Sequence, residues 1–136
     1  KLYLESLPES LSLVFHNRSF LFVHGSPSSI NEYLSFDSDA AKQHLHDIKE
    51  DVLVCAHTHM PGLYEIDNKV LINSGSVGKP KNGSPVATYA LIDIEKSGKI
   101  TGKVVQVEYD HLKTAKDMEM KNFPGKLISS IKTGVE

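Results

Sequence analysis

Hydrophobic positions fall into short runs separated by polar turns, and most of the runs come in pairs. Residues 12–16 and 19–24 lie on either side of the turn His16-Asn17-Arg18, the pattern of a β-hairpin. The Gly25-Ser26-Pro27 break ends it, and Asp37-Ser38-Asp39 supplies a helix N-cap. Ala41, Leu45 and Ile48 follow at i, i+4 and i+7, one face of a helix. Residues 52–56 are a continuous apolar run, as expected of a strand covered on both faces. Residues 63–66 and 70–72 flank Asp67-Asn68-Lys69 as a second hairpin, and residues 87–94 and 100–109 flank Lys96-Ser97-Gly98 as a third. A Gly/Ser/Pro-rich loop, residues 73–85, joins these two hairpins. Two helices close the chain. One starts after Asp110. The other starts near Asn122, with Pro124 in its first turn, Leu127, Ile128 and Ile131 on one face, and Gly134 as its stop. At the other end, Leu2, Leu4 and Leu7 before Pro8 read as the end of a helix already under way, so the chain is expected to begin within a domain. The pattern predicts a layered α/β or α+β organisation with helices packed on a sheet.

Composition narrows the function classes. The 136 residues are enough for one domain with a real core. No apolar run approaches a membrane span. Fifteen Lys and Arg against 17 Asp and Glu give a net charge of −2, with no basic stripe of the kind nucleic-acid binders carry. The single cysteine, Cys55, lies inside the apolar run 52–56, which predicts a buried free thiol and a reducing, cytoplasmic setting.

Chemistry concentrates where apolar strands end. "SFLFVHG" ends in His24, "DVLVCAHTH" in His57 and His59, and "KVLINSGSVG" in Asn73 and the Ser/Gly loop. If the three strand ends lie side by side, three imidazoles converge on one cleft. An extended backbone would put His57 and His59 on one face. Imidazole suits zinc, iron, nickel and copper, and three histidines with water would complete a tetrahedral zinc site. Each ring is expected to be oriented by an acceptor on its other nitrogen. His16, His44, His46 and His111 read as solvated. In the 73–80 loop, backbone N–H groups and serine hydroxyls could hold an anion, with Lys79 and Lys81 adding positive charge. Gly75 or Gly78 is expected at positive φ.

In order, "VHGSP", "AHTHMP" and "NSGSVGKP" resemble the C-terminal half of the calcineurin-like metallophosphoesterases, with the bacterial and archaeal phosphodiesterase branch the nearest likeness. "YALIDI" and "VEYDHLKTAKDM" extend the resemblance over nearly the whole chain. It implies a β-sandwich flanked by helices and a site for two divalent metal ions (manganese, iron or zinc). His24 matches the family's lone histidine, and His57 and His59 match its final pair. By that resemblance His24 and His57 bind one metal and His59 the other, while Asn73, Ser74, Gly75 and Ser76 shape the substrate site. Ala56 stands where the family has Gly, and Ser74 where it has Pro. The family's Asp-x-His, Gly-Asp and Gly-Asn-His motifs have no counterpart in this sequence, so no catalytic acid is identified.

The resemblance thus implies the C-terminal half of one metallophosphoesterase domain spanning residues 1–136. Joined to its N-terminal half, or to a second chain supplying it, it would hydrolyse a phosphoester or nucleotide substrate with a metal-bridged hydroxide. Alone it is expected to show no substantial activity. Two other readings compete. One is a non-catalytic interaction scaffold on the same fold. The other is a mononuclear zinc site made by the three histidines.

Overall fold

The computed structural model describes residues 1–135. After a short helix α1 (Leu2–Glu5) come β1 (Ser10–Phe15) and β2 (Arg18–Val23), then α2 (Asp39–Asp47) and β3 (Val52–Cys55). The hairpin β4 (Gly62–Ile66) and β5 (Lys69–Asn73) follows, then the hairpin β6 (Ala87–Ile94) and β7 (Ile100–Val107), and finally α3 (His111–Met120) and α4 (Gly125–Thr133). All three expected hairpins form, with ends shifted by one or two residues.

Five strands make a mixed sheet in the order β1-β2-β3-β5-β4. β2, β3 and β5 run parallel in its centre, and β1 and β4 are antiparallel edges. The register pairs Phe22 with Val54, and Val54 with Ile72. The C-terminal ends of β2, β3 and β5 are therefore neighbours, the arrangement that the strand-then-histidine pattern required.

Alternation along these central strands builds two layers of core. Phe20, Val52, Val70 and Ile72 face the two-stranded sheet β6-β7, which contributes Ala90, Ile92, Ile94 and Ile100. Leu53, Cys55 and Leu71 face the opposite way, against Leu34 and the Ala41 and Leu45 face of α2. Both faces being covered explains why 52–55 reads as an unbroken apolar run. Burying Leu45 and Leu34 contributes roughly 1.5–3 kcal/mol each. Ser38 caps α2 by accepting from Ala41 N at 3.1 Å. Ile48 lies just past the helix but still packs on that core.

Asp51 fixes the β2–β3 register from the other end. Its carboxylate accepts from Ser19 N at 2.8 Å and from Arg18 Nη1 at 3.0 Å, and the Ser19 backbone N–H is the main cause of its lowered pKa. Asp110 caps α3 through Lys113 N, and Gly134 ends α4 in the left-handed region at φ 69°. Pro124 is the N-cap of α4 rather than a member of its first turn. No helix among the described residues is long and apolar enough to cross a membrane.

Candidate functional site

His24 is the first residue past β2 and is exposed. Its carbonyl accepts from Ala56 N at 2.8 Å, which ties the end of β2 to the end of β3. His24 Nε2 lies 3.1 Å from His57 Nδ1, with the rings edge-to-face at 4.9 Å. Two nitrogens each about 2.1 Å from a single ion, at roughly 90–110°, would lie about 3.0–3.4 Å apart. The pair thus fits two ligands of one metal; without a metal the same contact is an N–H···N hydrogen bond.

His57 and His59 do not sit on an extended strand. Both have left-handed backbones, φ 57° and 59°, so the chain turns sharply through His57-Thr58-His59. The expectation of a shared strand face is corrected: the turn, not the strand period, aims the rings. Such a conformation costs a non-glycine residue roughly 1–2 kcal/mol, and strain of this kind collects at functional sites.

Asn73 restrains the turn. It is fully buried, and its Nδ2 donates to Ala56 O at 2.6 Å and to Thr58 Oγ1 at 3.0 Å. Its Oδ1 accepts from Gly75 N at 2.9 Å. Thr58 Oγ1 in turn accepts from Met60 N at 3.2 Å. In this structure the Asn73 side chain is turned inward, and the amide is a clamp beneath the histidine turn. Gly75 is turned inward likewise. It is buried, its N–H is committed to Asn73, and at φ 80° an added Cβ would lie 2.1 Å from Thr88 Oγ1. Gly75 meets the positive-φ expectation; Gly78 has no positive φ.

Ser74 and Ser76 are half-buried. Ser76 Oγ accepts from Lys79 N at 2.8 Å and Gly78 N at 3.3 Å, and Thr88 Oγ1 donates to Ser74 O at 2.9 Å. The loop is folded on its own hydroxyls, and Tyr109 braces it by donating to Gly78 O at 3.3 Å. It does reach the histidines. His59 Nδ1 lies 2.6 Å from Lys79 O. A carbonyl only accepts, so Nδ1 carries the proton and the neutral ring keeps its lone pair at Nε2. This is the expected orienting acceptor, and it comes from the backbone. His24 and His57 meet through the nitrogens that would face a shared metal, and the expected acceptor on the other nitrogen is shown for His59 alone.

Among the described residues no three His, Cys, Asp or Glu side chains are grouped so as to hold a metal ion. The expectation of three imidazoles in one cluster is corrected to a pair, His24 and His57, and a separately oriented His59. Among the described residues the three histidines are not gathered as a mononuclear three-histidine site would need.

Two further features have no signal in the sequence. The Tyr33 ring packs 4.2 Å from His57, and Lys81 Nζ lies 5.3 Å from the Tyr33 centroid. His44, expected to be solvated, instead places Nε2 3.0 Å from Glu32 Oε2, and Glu32 also accepts from the buried Ser26 hydroxyl. This network pins the loop between His24 and Tyr33 to α2. Cys55 packs in the core as a free thiol, as expected, and burial pushes it up to about 11.

Residues 2–97 match the profile of the calcineurin-like phosphoesterase superfamily domain. The uncharacterized protein MJ0912 of Methanocaldococcus jannaschii is 32% identical over 139 residues, covering 88% of this chain and 53% of that protein. The crystal structure of hypothetical protein PH1004 from Pyrococcus horikoshii shares the fold with a TM-score of 0.83 at 21% identity, over 99% of this chain and 54% of that one. A metallophosphoesterase from Sphaerobacter thermophilus does so with a TM-score of 0.80 at 27% identity, over 98% and 61%. The chain spans about half the length of the curated relative it matches. With its profile match covering most of its length, the chain belongs to the calcineurin-like phosphoesterase superfamily.

Proposed function

We propose that this chain contributes the histidine side of a divalent-metal-dependent phosphoesterase site. The observation that carries the reading is the His24–His57 nitrogen pair at 3.1 Å, held at neighbouring parallel strand ends beside an oriented His59. His24 and His57 hold one metal ion through Nε2 and Nδ1, and His59 offers Nε2 to a second. Bound there, the ions supply Lewis acidity toward a phosphoryl oxygen and lower the pKa of water. This chain's own residues do the positioning. Asn73 fixes the turn, Lys79 O selects the His59 tautomer, and Tyr33 packs against His57.

Imidazoles are neutral ligands, and two dications close together need anionic donors to offset their charge. The remaining ligands, and the acid for the leaving group, therefore come from further polypeptide, either the other half of the domain or a second chain. The surface supports this. Every residue of edge strand β1 is exposed, with Val14 at 72% and Phe15 at 45%. Phe15 also borders an apolar cavity of about 320 Å³ between the sheets, with Phe22, Ile92 and Ser74. An open strand edge beside an apolar opening is a surface that another segment covers.

The test is manganese-dependent hydrolysis of bis-p-nitrophenyl phosphate by the 136-residue chain and by a form extended with the acidic ligands. Turnover only in the extended form, lost in His57→Ala, is expected. Turnover by the short chain alone overturns the half-site reading. Inactivity of both favours the interaction scaffold.

A further inference from the structure

The last two helices have a small core of their own. Ala115 of α3 packs with Ile128 and Ile131 of α4 and with Met118, apart from the two layers that flank the five-stranded sheet. Lys132 Nζ of α4 meets Glu119 Oε1 of α3 at 2.7 Å across the same seam. Both helices lie beyond residues 2–97, the part that matches the superfamily profile.

Both ends of this helical hairpin nevertheless close on the loop after β5. At its start, the Tyr109 hydroxyl donates to Gly78 O at 3.3 Å. The Tyr109 carbonyl accepts from His111 N at 2.8 Å, which ties that residue to the first turn of α3. At its finish, Gly134 O accepts from Gly83 N at 2.9 Å. Gly134 also sits so close to the loop that an added Cβ would lie 2.2 Å from Ser84 O and 2.4 Å from Ser84 C.

Lys79 lies between these two holds, and its carbonyl is the acceptor 2.6 Å from His59 Nδ1. Ser76 Oγ accepts from Lys79 N and so fixes the near side of that residue. On the far side the chain enters Pro80, which is fully buried and has no N–H to anchor the peptide. The aim of the Lys79 carbonyl therefore depends on where residues 80–84 are seated, and their seat is the end of α4. The consequence reaches the imidazole. A free neutral imidazole in water favours the Nε2–H form, whose Nε2 has no lone pair to give a metal. The Lys79 carbonyl selects the other form.

We infer that the α3–α4 hairpin is a positioning element for His59. By gripping the loop on both flanks of Lys79, it holds the carbonyl against Nδ1 and keeps the lone pair at Nε2. Tyr109 and Gly134 are its positioning residues, and neither touches the histidine ring. The inference rests on the metal-ligand reading for its purpose, but the tautomer itself is measured without metal.

The experiment records long-range nitrogen–proton NMR correlations of the histidine rings in the full chain, at about pH 8.5, where an ordinary imidazole is neutral. His59 of the parent should be in the Nδ1–H form. Tyr109→Phe removes only the hydroxyl that holds Gly78, and should move the His59 tautomer ratio about twofold or more toward Nε2–H; Gly134→Ala, which displaces the far flank, should move it about fivefold, the effect of one lost hydrogen bond. His44 on α2, whose Nε2 faces Glu32 Oε2 at 3.0 Å, is the internal reference and should keep its signals in both variants. If Gly134→Ala does not fold, Tyr109→Phe decides alone. A His59 ring that stays in the Nδ1–H form in every folded variant overturns the inference. So does a His44 signal that shifts in parallel, which would mark general loosening. An unmoved His59 leaves the manganese-dependent assay untouched, and inactivity in that assay leaves the tautomer result standing.

Discussion

Replacing Asn73 with alanine removes the clamp under the histidine turn, and the structure allows its cost to be worked out. Three N–H···O hydrogen bonds disappear, Nδ2 to Ala56 O at 2.6 Å, Nδ2 to Thr58 Oγ1 at 3.0 Å, and Gly75 N to Oδ1 at 2.9 Å, together with a weaker one from Nδ2 to Cys55 Sγ at 3.7 Å. At about 1 kcal/mol net for each neutral hydrogen bond, the loss is about 3 kcal/mol, and the stranded Gly75 N–H adds to it. The restraint on two left-handed histidines goes too, so the turn gains a route to relax. For a chain of this length, unfolding entropy near the midpoint makes 3 kcal/mol a fall of roughly 10 °C in Tm. Asn73→Asp keeps the volume and the Gly75 contact but sets a carboxylate oxygen against the Ala56 carbonyl, so it should destabilise at least as much. Thermal unfolding by circular dichroism measures the first effect, and the ring-proton NMR shifts of His57 and His59 measure the second. A Tm within about 2 °C of the parent would refute the clamp. Weakened phosphate binding at unchanged Tm would make Asn73 a direct contact instead.

Three further outcomes follow from the same geometry. Gly75→Ala combines a φ of 80° with a Cβ only 2.1 Å from Thr88 Oγ1, so it should cost about 2–5 kcal/mol; chemical denaturation showing less than about 1 kcal/mol would count against the loop geometry. The Ser26 hydroxyl, and then His44, hold the Glu32 carboxyl below its ordinary 4.5. A lowered folded pKa gives stability that is present above that ordinary value and is lost as pH falls through the folded one. Glu32→Gln should therefore flatten the decline in Tm below about pH 4.5, and an unchanged acid limb would exclude the group. Cys55, buried with its thiol near 11, should react with a disulfide reagent at pH 8 only as fast as the protein unfolds; rapid native-state labelling would contradict its packing.

Much of the fold was legible because its signals are local. The turn triplets His16-Asn17-Arg18 and Asp67-Asn68-Lys69 do place left-handed residues where the hairpins reverse. Ser38 caps α2, and the unbroken apolar run at β3 does mark a strand covered twice. The site was legible only in outline. His-Thr-His continues an apolar run without the Gly or Asn that announces a left-handed turn, so its backbone could not be anticipated. Asn73 ends a strand beside Ser and Gly, and nothing local distinguishes an amide facing outward from one facing down at Ala56 and Thr58. The Glu32–His44 pair is 12 residues apart and forms only because the 24–32 loop folds over α2. The sheet order was hidden for a similar reason. The β4–β5 hairpin joins through its second strand, which the periodicity of either strand does not reveal.

The parallel centre of the sheet also sets when the site comes into being. The hairpins β1–β2, β4–β5 and β6–β7 close over a few residues and can form within microseconds. The β2–β3 pairing brings Phe20 to Val52, and so must close a far longer loop before any contact rewards it. His24 and His57 flank that last seam, 33 positions apart in sequence. The histidine pair should therefore assemble late in refolding, after most helical and hairpin signal has returned. Substitutions at the histidine pair would then leave the folding rate almost unchanged and register in the unfolding rate, the kinetic signature of interactions absent from the transition state.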